Sequence, residues 1–296
     1  MQSTSSRSNK DLIIWSSFIF LMLAWGSSFI LMKRGLTAYT PAQVASTRIG
    51  TAAIALSFLA IQHFKFIPRH LYFYVFISAM CGIAIPAFMF TIAETHLSSS
   101  IAGVLNALTP CMTFIIGVVF FRHSGGHLKI IGLLLGFAGS ATLILLNAKG
   151  ELDLNTWALF VVFATLCYGI NLNIVKNYLR DIKPLHLSTV TVALAGIFGL
   201  VYMLSTNWYM IYKTAPNGKS AMFAMVTLGL LGTATAQIVF NKMLQLSSAI
   251  FASSITYFIP LVAIIWGVLD GEGFNLWQVL GVLMIIGGII ILNKFK

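Results

Sequence analysis

The chain has 296 residues, 58% of them hydrophobic and only 8% charged, against about 25% charged in a soluble domain. So few charges cannot solvate a globular surface, and this excludes a soluble enzyme or binding module. The net charge of +11 raises a nucleic-acid partner, which the placement of the basic residues argues against.

Apolar, uncharged runs follow one another along the chain. They cover residues 12–32, 71–93, 97–121, 130–148, 157–175, 185–207, 220–241, 243–269 and 274–293, and a further run at 41–62 carries one charge, Arg48. Each is close to the roughly 20 residues with which a helix crosses about 30 Å of hydrocarbon. In lipid the backbone polar groups must be satisfied within the segment, so each run is expected to be helical. The expected fold is an all-α integral membrane protein with ten transmembrane helices. The first run is not read as a cleaved signal peptide: it is long, lacks a convincing small-residue cleavage site, and nine more runs follow. Cys81, Cys111 and Cys167 fall far apart inside runs and read as reduced core cysteines.

With a cytoplasmic N-terminus, twelve basic residues lie in cytoplasmic segments and five (Lys33, Arg34, Lys149, Lys213 and Lys219) on the opposite side. That asymmetry is the positive-inside bias and places both termini in the cytoplasm. The basic charge is thus an orientation signal for a bilayer, with no nucleic acid implied. Lys33 and Arg34 are the one awkward pair.

The chain also repeats itself. LAWGSSFILMK begins at Leu23 and LCYGINLNIVK at Leu166, an offset of 143 that also relates Pro41 to Pro184. SSSIAGVLNALTP ends at Pro110 and SAIFASSITYFIP at Pro260, an offset of 150 kept by Gly82 and Gly232 and by Phe90 and Phe240. IGLLLGFAG ends at Gly139 and LGVLMIIGG at Gly288. The order of these landmarks across five helices indicates an internal duplication of residues 12–148 and 157–293. Five spans per copy is odd, so the second copy enters from the opposite face and the repeats are inverted, the layout of an alternating-access carrier. The longest connection, 206–219, has amphipathic text with Trp208, Tyr209 and Tyr212 and is expected at the membrane interface.

LAWGSSF in the first helix, a proline within the fourth and ninth, and the ending PLVAIIWGVLDGE at Glu272 resemble the drug/metabolite transporter superfamily in its EamA-like branch. The resemblance covers nearly the whole chain, 12–293, and rests on the layout rather than on one motif. It implies two inverted five-helix halves around a central cavity, with helices five and ten peripheral, and transport of metabolites such as amino acids, commonly as export. One departure is visible: twelve residues past Pro260 stands Glu272, while twelve past Pro110 stands Arg122.

Candidate substrate-binding residues follow from polarity in lipid. Arg48 lies seven residues past Pro41, about 10 Å along its helix. A charge there costs at least a few kcal/mol if it faces hydrocarbon. It therefore either binds a carboxylate or other anion, snorkels outward, or pairs with Glu94. Trp25 and Tyr168 occupy equivalent points, each followed by glycine, and offer flat faces to ligands or simply pack. Asn106, Asn171, Gln237 and Tyr257 either bond a neighbouring helix or line a wet cavity, and Asn173 and Thr256 are of the same kind. Pro110 and Pro260 free backbone carbonyls near mid-membrane, where a transporter site or a packing kink forms. Glu94 and His96 flank the outer end of the third helix as candidates for gating or proton coupling, or as a solvated loop edge. The remaining acidic residues lie away from the spans, so coupling to protons has little support in sequence.

His123 and His127 have a metal-like spacing, but a Ser-Gly-Gly turn separates them and no third ligand is near, so no metal is expected. Gly132 and Gly136 form a weak small-xxx-small pattern that packs against a neighbouring helix or another copy. An intramembrane enzyme would need a metal motif, paired membrane aspartates or a nucleophile with its base; none is present, and no cofactor is expected. A channel would need charged rings or filter loops. The reading is a secondary transporter of amino acids or related metabolites in a bacterial cytoplasmic membrane, with a small-molecule substrate and the bilayer as partners. A lipid or lipid-precursor flippase is the alternative, and the oligomeric state stays open.

Overall fold

The computed structural model describes residues 2–121, 127–145, 155–246, 254–273 and 275–294. Among them there is no strand, and the described parts of the apolar runs are predominantly helical. Seven helices are long and apolar enough to cross a membrane. They are α1 (Asp11–Leu36), α2 (Pro41–Phe64), α3 (Arg69–Ala93), α4 (Ser99–Phe121), α6 (Ala158–Tyr178), α7 (Pro184–Leu204) and α8 (Gly218–Met243). Three shorter apolar stretches accompany them: Ile130–Gly139 within α5 (His127–Leu145), α9 (Ile259–Leu269), and Leu276–Gly288 within α10 (Leu276–Lys294).

Local chemistry sets the ends. Thr40 caps α2 with its hydroxyl on the Gln43 N–H, Gln43 returns a bond to the Thr40 N–H, and Pro41 takes the first helical position. Ser98 caps α4 by accepting from the Ile101 N–H. The connection after α7 folds into a short helix, Trp208–Thr214, with Tyr209 exposed and Lys213 over its ring at 4.5 Å. The amphipathic text of this connection is thus helical.

Helix α1 breaks once at Ser27, and other irregularities come in pairs. Helix α3 contains a π-helical stretch at Met80–Ala84, and α8 contains one at Leu230–Thr235. Pro86 follows the first, but no proline follows the second, so proline is not their shared cause. Helix α4 breaks at Ala107–Leu108 between Ser99–Asn106 and Thr109–Phe121. A 3-10 turn, Ser254–Tyr257, precedes α9. Pro110 and Pro260 each sit at the start of the segment after the irregularity, where a missing N–H leaves no helical bond unmade.

Packing pairs α2 with α7 and α5 with α10; α1 packs on α8 and α9, and α6 on α3 and α4. The α5–α10 contact is made backbone to backbone. A side chain at Gly288 would run into Gly132 and Gly136, so this small-residue pattern serves contact within the chain. Large apolar side chains such as Phe58, Ile61, Phe73, Phe120, Phe198 and Phe223 stay on the outside. Surrounded by hydrocarbon they cost nothing there, while the polar side chains turn inward.

Candidate functional site

Each aromatic–glycine pair resolves into a contact set. Trp25 donates its indole N–H to the Gly232 carbonyl at 3.2 Å and its ring lies 5.3 Å from that of Phe240. Tyr168 stacks on Phe90 at 6.2 Å. The glycines that follow bring neighbouring helices close: a Cβ on Gly26 would strike Val262 of α9, and one on Gly169 would lie 2.8 Å from the Met112 backbone of α4. Ser28 and Asn171, also equivalent, lie against the two π-helical glycines, Gly232 and Gly82.

Arg48 is half-buried and points to the centre of the helix bundle. Its Nε donates to the Thr233 hydroxyl in the α8 π-helical stretch at 3.0 Å, and a terminal nitrogen approaches the Met32 sulfur at 3.7 Å. The guanidinium therefore does not snorkel outward. It interacts electrostatically with Tyr168 and Glu94, yet no ion pair joins it to Glu94 among the described residues. Glu94, the residue after α3, is only 7% exposed, and neither carboxyl oxygen has a hydrogen-bond partner. Burial raises its affinity for a proton and the Glu272 carboxylate adds to this, while Arg48 and Lys33 oppose it. His96 takes no part: its exposed ring stacks on Trp157 at 3.9 Å.

The awkward cations of the sequence are paired at this same end. Lys33 binds Asp270 at 2.6 Å and Glu272 at 2.8 Å, and Arg34 binds Asp270. Glu272 also accepts from the N–H groups of Ser99 and Ser100, at 3.0 and 3.1 Å, and from the Ser100 hydroxyl at 2.7 Å. It thus caps the N-terminus of α4 from the end of α9, where a helix dipole favours a carboxylate. The hydrogen bond from Lys33 holds the Asp270 carboxyl below its ordinary range. Burial pushes Glu272 up, but Lys33 and the Ser99 and Ser100 donors outweigh it and hold the group low. The equivalent residue by spacing, Arg122, lies outside the described residues, as do His123 and the side chains of His127 and Tyr257.

At the opposite end of the bundle, α3, α6, α7 and α8 enclose a small polar cavity of about 40 Å³, lined by residues that include Ser78, Asn171, Thr191, Gln237 and Asn241. It holds a few waters at most. The Ser78 hydroxyl donates to Asn171 Oδ1 at 2.6 Å. Asn173, by contrast, is buried and ties α6 to α4 through the Thr113 carbonyl at 2.9 Å. Asn106 sits at the α4 break, its carbonyl accepting from the Thr109 hydroxyl at 2.8 Å. The structure thus brings Arg48, Glu94 and Tyr168 into one electrostatic group and Asn171 and Gln237 into another. Sequence reasoning missed the Lys33–Asp270–Glu272 network. Opposite charges at the ends of apolar runs were its signal, but a separation of 239 residues hides which ends meet.

The chain belongs to the EamA-like transporter family, whose model matches it over residues 13–145 and again over 155–294. A relative from Escherichia coli K12 named "Uncharacterized inner membrane transporter YedA" is 24% identical, over 95% of this chain and 92% of its own length. The "S-adenosylmethionine/S-adenosylhomocysteine transporter" of Chlamydia muridarum is 26% identical, over 89% and 84%. The "Probable terminal-alkyne amino-acid exporter" of Streptantibioticus cattleyicolor is 22% identical, over 85% and 83%. A crystal structure superposes with a TM-score of 0.62 at 15% identity, covering 96% of both chains, a likeness of fold alone. With its apolar helices, the chain is a multi-pass cell-membrane protein, and its relatives point to small-molecule transport rather than an enzymatic reaction.

Proposed function

We propose that this chain is a secondary transporter that exports amino acids or related metabolites by alternating access between two inverted five-helix halves, residues 12–148 and 157–293. The observation that carries the reading is the recurrence of one contact set: Trp25–Phe240 with Gly26–Val262, and Tyr168–Phe90 with Gly169–Met112. The π-helical stretches begin at Met80 and Leu230, 150 residues apart, the offset already present in the sequence. Ten spans follow if α5, α9 and α10 cross with the other seven. Two interchangeable copies of one interface let the path open on either side in turn. The two separate family matches support the same division.

With both termini cytoplasmic, the Lys33–Asp270–Glu272 network closes the outer end, and the cavity by Asn171 and Gln237 lies toward the cytoplasm. Arg48, between them, holds a carboxylate through guanidinium hydrogen bonds. Trp25 and Tyr168 wall the path, with Asn106 beside it. Counterflow of labelled amino acids in proteoliposomes tests this. Wild type should exchange, and Arg48→Ala should lose about 10- to 100-fold of that exchange, as expected for a lost charged hydrogen bond, while remaining folded.

A second reading has one observation in its favour. Between α1 and α9 a crevice open to the side is lined by Ile30, Leu31, Trp266 and Leu269 and ends at the Arg34–Asp270 pair. It suits an acyl chain with a polar head, as a lipid flippase would need. Movement of labelled lipid between leaflets, without amino-acid exchange, would favour it.

A further inference from the structure

Glu94 and Arg48 are opposite charges placed to feel one another without touching. Neither makes the contact an ordinary ion pair would supply. The guanidinium keeps to a hydroxyl and a thioether, and the carboxyl oxygens are sealed from solvent with no hydrogen bond at all. An ionised carboxylate left in that condition is strongly disfavoured, whereas a proton neutralises it and needs no coordination shell. Two unlike charges that do not pair with one another also match a zwitterion, whose carboxylate and ammonium groups would face Arg48 and Glu94 respectively.

Resting on the amino-acid reading above, we propose that Glu94 is a proton-exchange site, its carboxyl holding either a proton or the ammonium group of the substrate but not both. Such exclusive occupancy couples the two ligands in opposite directions. Loading an amino compound releases the proton, and proton return releases the compound. The charges around the carboxyl are set for this. Arg48 from α2 and Lys33 from α1 favour its ionised form, Glu272 beyond α9 opposes it, and the Tyr168 phenol of α6 interacts with Arg48. Lys33 is already neutralised by Asp270 and Glu272, so Arg48 is the cation whose occupancy matters. When the substrate's carboxylate covers Arg48, the ammonium group takes over the stabilisation of ionised Glu94.

The first measurement needs no substrate. Infrared spectra of the purified protein should show a protonated-carboxyl band at neutral pH, where an ordinary glutamate of pKa about 4.3 is ionised. The band should vanish in Glu94→Gln and survive in Glu94→Asp. Identical spectra for wild type and Glu94→Gln would overturn the proposal. In the second measurement, leucine should abolish the band and release protons to a pH dye, while 4-methylpentanoate, which lacks the amino group, should not. Leucine counterflow in wild type without proton release, or with unchanged pH dependence in Glu94→Gln, would overturn the exchange site and leave the carrier standing. Absence of amino-acid counterflow in folded wild type, with the band present, would instead overturn the amino-acid reading.

Discussion

The two ends of the helix bundle are held by different chemistry. At the end where α1, α4 and α9 meet, two cations and two carboxylates form a network, and Glu272 takes three hydrogen bonds from Ser99 and Ser100 besides the Lys33 ammonium. At the other end, neutral groups do the joining: Ser78 to Asn171 and Asn241 to Ser188. Charges give a closure that is strong while complete and costly once one partner is gone. Neutral hydroxyls and amides exchange partners with water at small cost. Under the proposed alternating access, a gate and a wet vestibule would call for these two behaviours at opposite ends.

The largest effect should come from cutting the lock at its centre. Glu272→Ala leaves Lys33 with Asp270 alone and strips the α4 N-terminus of its cap. With a partly exposed cation and three α4 donors losing their acceptor, we expect about 1–3 kcal/mol of destabilisation, read as a lower unfolding midpoint in detergent. Glu272→Gln can still accept one or two of these bonds and should lose less. Equal loss in both variants would mean that charge, rather than capping, supplies the stabilisation.

Much of this architecture is legible in the sequence because hydrocarbon leaves few options. Apolar runs become helices, and the landmarks at offsets of 143 and 150 turn out to sit in matching contacts. Arg48 is legible as a charge that needs a polar partner, while its contacts with Thr233 and Met32 are not. What the sequence conceals is long-range partnership. Lys33 looks unpaired until Glu272 arrives from far along the chain. Glu94 looks like a solvated helix end, because nothing local announces its burial. The π-helical stretches are not legible either, although the glycines within them, Gly82 and Gly232, seat against Asn171 of α6 and Ser28 of α1.

Acid should separate the two ends next. Asp270 and Glu272 both lie below their ordinary carboxylate values in the folded protein. A group so lowered contributes stability that is present above its unfolded value, near 4, and lost as pH falls through the folded value. Glu94, whose folded value is raised, adds stability as pH falls from neutral toward its unfolded value near 4. The test is therefore cleanest in Glu94→Gln, where the unfolding midpoint should hold from neutral pH to about 5 and decline below about 4. The decline should be shallower when Glu272→Gln is added, and the neutral end should contribute nothing to it. A decline unchanged in that variant would place the acid-sensitive groups elsewhere. The effect should be smaller than deletion, because a protonated carboxyl still occupies its place and keeps part of its hydrogen bonding.

The smallest effect should distinguish two asparagines two residues apart. Asn171 lines the cavity, so after Asn171→Ala a water can take over the Ser78 hydroxyl. Its cost should stay within about 1 kcal/mol. Asn173 is 2% exposed and donates to both Thr113 and Gly169. Removing it leaves the Thr113 carbonyl without that donor where water does not reach, so Asn173→Ala should cost about 1–3 kcal/mol. Unfolding midpoints of the two variants, measured side by side, give the difference directly. If Asn171→Ala were the more damaging, its end of the molecule would be a packed seam, and the contrast with the charged end would lose its meaning.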